Sequence, residues 1–290
     1  MQLSPLSKII LDTREFLVKR DDLIDPYLAG NKYRKLYTLL QTPKELYHTI
    51  ISYGGTQSNA MLAIAAMCRQ KGWNFIYYSK PLSRQQRENT LGNFATALAL
   101  GMTHHEIEHE LYRDFIASLR LNLDEKIFIL DQGGAVTEAK EGLEVLADEL
   151  REQLREHKDI QSLATPSGTG TTAYFLALAL PEYRIYTTPS VGDVSYLKEQ
   201  MLALGKLPKN LHILESKKKY HFAKPYPEFY EMYQKLKSGG IEFDLLYAPL
   251  MWQTLLEQTD ERILYIHSGG VSGNASMLPR YKNIDKGILK

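Results

Sequence analysis

Residues 48–60 have the sequence HTIISYGGTQSNA, and this stretch decides the expected fold. Residues 48–53 are a short run rich in β-branched and apolar side chains, which predicts a strand. Residues 59–70 then place apolar side chains at the i, i+3, i+4, i+7 spacing of one helical face, namely Met61, Ile64, Ala65 and Cys68. The stretch therefore predicts a strand, a glycine turn and a helix that ends at Gly72.

The same alternation continues downstream. Further strands are predicted at residues 73–79, 126–130, 160–164, 184–188, 211–214, 243–247 and 262–267, and helices at 90–100 and 137–157. Strands that alternate with helices are typical of α/β layers with mainly parallel sheets. Such sheets bind ligands beyond the carboxyl ends of their strands, so we look for functional residues there.

Three predicted strands are followed by paired glycines, which are Gly54-Gly55, Gly133-Gly134 and Gly269-Gly270. One such pair is ordinary turn chemistry. Three pairs at equivalent strand ends indicate instead that the backbone passes close to a flat or bulky group.

The composition limits the class of protein. The chain has 290 residues, 35 Lys and Arg against 34 Asp and Glu, and a formal net charge of +1. Balanced charge gives no reason to expect nucleic acid or an anionic membrane as partner. The single cysteine, Cys68, excludes a disulfide scaffold, and we expect it to be buried. No apolar stretch approaches the roughly 20 residues of a transmembrane helix. The start shows no signal peptide, so we expect a cytoplasmic protein.

The segment 30–36 (GNKYRKL) contains the first candidate for chemistry. Asn31 is a good N-cap, which places Lys32 in the first helical turn, where the helix dipole disfavours a positive charge. A lysine that is also desolvated loses its proton below its usual pKa of about 10.4, as a Schiff-base lysine requires. The alternative is that Lys32, Arg34 and Lys35 form a solvated cationic face.

Ser58 and Asn59 follow the first glycine pair at the start of a predicted helix. A hydroxyl and an amide at a helix N-terminus, next to glycines that expose the backbone, favour an anionic substrate. The simpler interpretation is that one of the two only caps the helix.

Residues 166–172 (PSGTGTT) lie between another strand and another helix. Small residues with accessible backbone N–H groups at a helix start are typical of a phosphate cradle. No lysine follows the last glycine, so the pattern indicates one phosphate monoester rather than ATP hydrolysis. A plain loop of glycine and threonine remains the alternative.

A competing motif is HEIEH at residues 105–109. On a helix it would hold zinc through His105 and His109, with Glu106 as the base of a hydrolase. The motif follows a turn where the pattern predicts a strand, and no third ligand is evident. An exposed edge strand or a helix start is therefore the better interpretation, and we expect no metal.

Taken in order, KRDDL (19–23), GNKYRKL (30–36), GGTQSN (54–59) and SGTGTTA (167–173) resemble the 1-aminocyclopropane-1-carboxylate deaminase/D-cysteine desulfhydrase family. Its members are pyridoxal-phosphate enzymes of fold type II, the tryptophan synthase β-like group. The likeness extends to residues 88–102, 129–143 and 265–270.

The resemblance implies an α/β fold of two domains in three αβα layers. A large cofactor-binding domain would comprise residues 1–46 plus 135–290, and a small inserted domain residues 47–134. The cofactor, pyridoxal 5'-phosphate, would lie in the cleft between them. The family also suggests a homodimer.

The resemblance also implies roles for individual residues. Lys32 would bind the cofactor as a Schiff base, Ser58 would face the substrate carboxylate, and Asn59 would face the phenolic oxygen of the cofactor. Tyr247 corresponds to the active-site tyrosine, and Ser268 to the hydroxyl residue beside the pyridine nitrogen. The residues of the phosphate loop would be Gly168, Thr169, Gly170 and Thr171.

The chain departs from the family pattern at Ala60, Ala135, Val136 and Ala248. Ala248 lacks the carboxylate expected of a deaminase, so the resemblance favours β-elimination from D-cysteine over opening of the cyclopropane ring. The substrate would be a small amino acid in either case. A protein that binds the cofactor without turnover is the third alternative.

Overall fold

Two β-sheets organise the described part of the chain. The structure is a computed structural model that describes residues 3–28, 30–88, 90–121, 124–131 and 139–285. With strands numbered along the chain, the larger sheet has the order β1 (Leu6–Leu11), β2 (Arg14–Lys19), β10 (Ile263–Ile266), β7 (Ser162–Ala164), β8 (Arg184–Thr187) and β9 (Leu211–Ile213). β1 and β2 are antiparallel, and all other neighbours are parallel.

The smaller sheet is entirely parallel. Its order is β5 (Met102–Glu106), β4 (Asn74–Ser79), β3 (Thr49–Tyr53) and β6 (Ile127–Leu130). All four strands fall within residues 47–134, the segment expected to form the inserted domain.

Helices lie on the faces of both sheets. They are α1 (Asn31–Lys35), α2 (Tyr37–Gln41), α3 (Asn59–Lys71), α4 (Arg84–Glu88), α5 (Gly92–Ala99), α6 (Tyr112–Ser118), α7 (Ala139–Gln153), α8 (Thr171–Ala179), α9 (Val194–Leu202), α10 (Pro227–Ser238), α11 (Ala248–Gln258) and α12 (Asn274–Asp285). Single 3₁₀ turns occur at Asp21–Leu23 and Val271–Gly273.

The core shows why the larger sheet needs a helical layer on each side. Successive residues of a strand point to opposite faces. Leu264 of β10 therefore packs with the apolar faces of α7 and α8, while its neighbour Tyr265 packs with Trp252 of α11 and Leu236 of α10. This three-layer arrangement confirms the predicted α/β fold class with mainly parallel sheets.

One predicted strand is wrong. Residues 243–247 form a turn, because the Asp244 carboxylate accepts hydrogen bonds from the backbone N–H groups of Leu246 (2.9 Å) and Tyr247 (2.6 Å). These bonds turn the chain directly into α11. Phe243 and Leu245 of the turn are buried in the core, so the segment has the apolar composition of a strand.

Cys68 is buried in α3, as expected. Among the described residues, no helix combines the length and apolar character that a membrane span needs.

Candidate active site

Lys32 is held against the loop that follows β10. Gly30 has a φ of +61°, and its N–H donates to the carbonyl of Asp21 at 2.9 Å. The next N–H, that of Asn31, donates to the carbonyl of Ser268 at 3.2 Å. A Cβ at Gly30 would lie 2.0 Å from the Ser268 carbonyl oxygen, so only glycine permits this approach. The structure thus brings together Lys32 and Ser268, two of the predicted site residues.

Desolvation makes Lys32 easier to deprotonate. The side chain lies in the first turn of α1, and burial lowers its pKa to about 8. Gly30, rather than the predicted Asn31, occupies the N-cap position. Arg34 and Lys35 are buried, so the alternative of a solvated cationic face is wrong.

A buried ionic network anchors α1 behind the lysine. The Arg34 guanidinium donates to both carboxylate oxygens of Asp21, at 2.9 and 2.8 Å, and to both of Glu149 on α7, at 2.8 Å each. The Lys19 ammonium lies 2.9 Å from Glu149. Bidentate pairs of this kind fix geometry as well as charge, so the network determines where the helix that carries Lys32 begins.

Ser58 and Asn59 start α3 as predicted. Ser58 is the N-cap, and its hydroxyl accepts from the N–H groups of Ala60 (3.2 Å) and Met61 (3.3 Å). Asn59 points at the glycine pair Gly269-Gly270, because a Cβ at Gly270 would lie 2.6 Å from its Nδ2. The glycine is therefore required for close approach of the two loops.

These segments enclose one cleft. Lys32, Asn59, Gly269 and Gly270 all line it, and Tyr27 lies half-exposed at its wall. The cleft thus contains a lysine whose pKa is lowered, an amide and exposed backbone, all on elements that are far apart in sequence.

The predicted phosphate loop at residues 168–171 precedes α8. Gly170 has a φ of +79°, and α8 begins at Thr171. The backbone N–H groups of these four residues donate to no partner within the described ranges. Hydrogen-bond donors at a helix start suit an anion, and the hydroxyls of Thr169 and Thr171 lie 3.0 Å apart beside them.

Three further hydroxyls support an anion site. Those of Thr172, Thr188 and Ser190 are buried and have no hydrogen-bond partner among the described residues. Thr188 and Ser190 flank the loop, because the carbonyl of Thr188 accepts from the N–H of Ser167 (3.1 Å) and the N–H of Ser190 donates to the carbonyl of Ser167 (2.8 Å). Buried polar groups normally have partners, so the loop and its surroundings fit a phosphate.

Tyr247 connects the phosphate loop to the cleft. A Cβ at Gly168 would lie 3.4 Å from the Tyr247 ring. The Asp244 carboxylate holds the turn before Tyr247. The Cβ of Asp244 lies 3.6 Å from the position that a Cβ at Gly270 would occupy. Burial raises the pKa of Asp244 to about 6 and that of Tyr247 above its ordinary value, so the phenol keeps its proton at neutral pH.

The zinc motif does not form. His105 and Glu106 are consecutive residues of the edge strand β5, so they point to opposite faces of the sheet. Glu106 binds Arg87 through both oxygens, at 2.9 and 2.7 Å. Within the described ranges no group of three His, Cys, Asp or Glu side chains is placed to hold a metal.

Some features escaped the sequence analysis or lie outside the described residues. Thr188 and Ser190 were not predicted as site residues, although Thr188 ends a predicted parallel strand and Ser190 follows it, where ligand sites occur. Asn93, inside a predicted helix, bonds directly to Asn59. Gly133, Gly134, Ala135 and Val136 lie outside the described residues.

Comparison with curated proteins shows similarity over most of the chain, although no family model matches it. A putative 1-aminocyclopropane-1-carboxylate deaminase of Thermotoga maritima is 26% identical over 88% of this chain and 88% of its own length. A bifunctional D-cysteine desulfhydrase/1-aminocyclopropane-1-carboxylate deaminase of Arabidopsis thaliana is 24% identical over 89% of this chain and 73% of its own. A D-cysteine desulfhydrase of Salmonella paratyphi A is 25% identical, over 89% and 87% respectively.

Solved structures share the fold. A 1-aminocyclopropane-1-carboxylate deaminase homologue superposes with a TM-score of 0.77 at 21% identity, covering 98% of this chain and 94% of its own. Threonine deaminase isoform 2 of Solanum lycopersicum superposes with a TM-score of 0.65 at 14% identity, covering 93% and 84%. The chain therefore has the pyridoxal-phosphate fold type II, and its resemblance to the 1-aminocyclopropane-1-carboxylate deaminase/D-cysteine desulfhydrase family is confirmed.

Proposed function

We propose that this protein is a pyridoxal-phosphate-dependent lyase or deaminase that acts on a small amino acid. The observation that carries the proposal is Lys32, an amine whose pKa is lowered by burial, in a cleft shared with Asn59 and Gly270. The curated relatives, named as D-cysteine desulfhydrases and 1-aminocyclopropane-1-carboxylate deaminases, support the same chemistry.

The residues present fit the cofactor. Lys32 would hold its aldehyde carbon, Asn59 its phenolic oxygen and Ser268 its pyridine nitrogen. Its phosphate would bind the loop of Gly168, Thr169, Gly170 and Thr171, where N–H groups and buried hydroxyls lack partners within the described part of the chain. When bound, the cofactor supplies a ring that accepts electron density from the substrate carbons.

The chain itself binds the substrate and moves its protons. Ser58 and the N-terminus of α3 face the substrate carboxylate, where the helix dipole favours a negative charge. Lys32 would accept the proton of the substrate α carbon as a general base. Burial raises the pKa of Tyr247, so the phenol is protonated at neutral pH and would donate a hydrogen bond toward the departing group.

We propose D-cysteine as the substrate, with pyruvate, sulfide and ammonia as products. Ala248 is buried at the start of α11 and offers no carboxylate beside Tyr247. Ring opening of 1-aminocyclopropane-1-carboxylate to 2-oxobutanoate and ammonia is the second candidate, which the name of the Thermotoga maritima relative favours.

The first experiment measures the absorbance of the purified protein with pyridoxal 5'-phosphate. We expect a yellow protein that borohydride bleaches, with the label on the peptide containing Lys32. Lys32→Ala should form no reducible adduct. A colourless wild-type protein, or an adduct that survives in Lys32→Ala, would overturn the proposal.

The same loaded protein is then given D-cysteine, L-cysteine and 1-aminocyclopropane-1-carboxylate, and sulfide and ammonia are measured. Sulfide from D-cysteine supports the favoured substrate, whereas ammonia from the cyclopropane acid alone selects the second. Cofactor binding without any product would identify a protein that binds the cofactor but does not turn over.

We further propose that the enzyme is a cytoplasmic homodimer with a small domain at residues 47–134 inserted into a large one at 1–46 plus 135–290. The placement of the four-stranded sheet within residues 49–130 supports the domain boundaries. Sedimentation of the purified protein tests the dimer, because a monomer at working concentration would contradict it.

A further inference from the structure

Asn93 is a buried amide in contact with Asn59, which lines the cleft. It is 0% exposed and lies in the first turn of α5. The preceding residue, Gly92, has a φ of +66°, and a Cβ there would lie 2.6 Å from Oε1 of Gln57. Glycine therefore lets α5 approach the loop that carries Ser58 and Asn59 closely.

Backbone groups fix the orientation of the amides in this contact. Gln57 Nε2 donates to the carbonyl of Leu91 (3.0 Å), and Gln57 Oε1 accepts from the N–H of Asn93 (3.1 Å). Asn93 Nδ2 donates to the carbonyl of Gln57 (3.1 Å). Because a carbonyl can only accept and an N–H can only donate, each of these amides has one orientation that satisfies its partners.

The fixed orientation is passed on to Asn59. Asn93 Nδ2 donates to Asn59 Oδ1 at 2.7 Å, so Asn59 must present Nδ2 on its other side. Nδ2 is the atom that a Cβ at Gly270 would approach to 2.6 Å, and Gly270 lines the cleft beside Lys32. Asn93 Oδ1 is buried without a partner among the described residues, so the Asn93 side chain serves as a donor only.

We propose that Asn93 is a positioning residue that orients the amide of Asn59, so that an N–H donor, and not the carbonyl oxygen, faces the anionic phenolic oxygen of the cofactor. The inference rests on the proposed function, and it adds a residue from the smaller sheet's helical layer to the cofactor site. A donor to a charged oxygen stabilises the deprotonated form. Loss of the orientation should therefore raise the pH at which the bound cofactor changes its absorbance.

The test is a pH titration of the absorbance of the loaded protein, together with the Kd for pyridoxal 5'-phosphate. Asn93→Asp keeps the size of the side chain but removes the donor, so we expect the side-chain amide of Asn59 to flip. We expect the midpoint to rise by about one pH unit, and the Kd to increase about tenfold, as for loss of a hydrogen bond to a charged group. Asn93→Ala should shift both in the same direction by less.

Asn210→Asp is the matched control. Asn210 is another amide donor, bonded to the carbonyls of Ala177, Leu180 and Tyr183, and none of these residues lines the cleft. The Asn210→Asp substitution should lower the Tm and leave the midpoint of the absorbance titration with pH unchanged. If both Asn93 variants lose the cofactor while their Tm stays at or above that of the control, the loss also supports the proposal.

A double-mutant cycle separates orientation from a general loosening of the loop. Asn59→Asp still accepts from Asn93 but offers no donor to the cofactor, so Asn93→Ala should add no further shift in that background. Wild-type midpoints in both Asn93 variants, or additive shifts in the cycle, would overturn the inference. A wild-type protein that never binds the cofactor would instead overturn the proposed function.

Discussion

Lys32 and Arg34 are two residues apart, yet their surroundings affect their charges in opposite ways. Arg34 is fully buried and keeps its charge, because the carboxylates of Asp21 and Glu149 surround its guanidinium. Burial instead lowers the pKa of Lys32 to about 8. A nucleophilic amine needs its neutral form, so this difference separates the reactive residue from its structural neighbour.

The lowered pKa of Lys32 predicts how fast the protein without cofactor takes up pyridoxal 5'-phosphate. The rate should rise with pH and level off above about 8, because the neutral fraction of the amine saturates there. For Nα-acetyl-lysine, measured in parallel, the rate of reaction with pyridoxal 5'-phosphate should continue to increase up to the usual lysine pKa of about 10.4. Stopped-flow absorbance gives both curves, and coincident curves would contradict the prediction.

Gly30 predicts a second result at the scale of one residue. Gly30→Ala must accommodate a Cβ 2.0 Å from the Ser268 carbonyl oxygen at a φ of +61°, so we expect loss of cofactor binding and a large drop in the free energy of unfolding. Gly72→Ala is the control, since its φ is +73° but nothing lies within 4 Å of the new Cβ. In the Gly72→Ala control only backbone strain is added, so its free energy of unfolding should fall by about 1–2 kcal/mol.

Urea unfolding and cofactor titration of the two glycine variants measure the difference. Similar losses in both would mean that the contact between Gly30 and Ser268 does not hold the site together.

At the scale of elements, α7 has one face in the core and one in solvent. On the buried face Glu149 binds Arg34 and Lys19. On the exposed face Glu152 binds Arg155. Removal of one partner from a buried ionic network leaves uncompensated charge, whereas exposed pairs contribute little.

Glu149→Gln should therefore lower the free energy of unfolding by about 3–5 kcal/mol, and Glu152→Gln by less than about 0.5 kcal/mol. Burial acts to raise the pKa of Glu149, but Arg34 and Lys19 outweigh it and hold the pKa below 4.5. The stability that Glu149 provides is thus present above pH 4.5 and is lost as the pH falls through its lower folded pKa. Urea unfolding at pH 7 and at acid pH checks this, because a difference between the variants that persists in acid would contradict it.

The elements also show what the sequence could predict. β3 and α3 carry their own periodic patterns, and Ser58 caps α3 through local bonds, so residues 48–70 were predicted closely. The turn at 243–247 was predicted as a strand, because its shape comes from one carboxylate rather than from periodicity. The hairpin of β1 and β2 was not predicted. Asn93 and Ser190 were missed as site residues because their partners lie on other elements.

At the scale of the whole molecule, local motifs and long-range contacts contribute differently. The motifs around Lys32, Asn59 and the loop at 168–171 predicted most of the residues of the proposed cofactor site. Their assembly depends on contacts that no local pattern encodes, such as the backbone bond from Asn31 to Ser268. The resemblance to a known family supplied that assembly in advance, and the cleft shared by Lys32, Asn59 and Gly270 agrees with it.

The position of β10 has a consequence for biosynthesis. β10 is the last strand among the described residues, yet it lies in the interior of the larger sheet, between β2 and β7. Until residues 263–266 leave the ribosome, β2 and β7 expose open edges that can pair wrongly with other chains. The cleft is lined by Gly269 and Gly270, just after β10, so it cannot be complete before these residues have been synthesised.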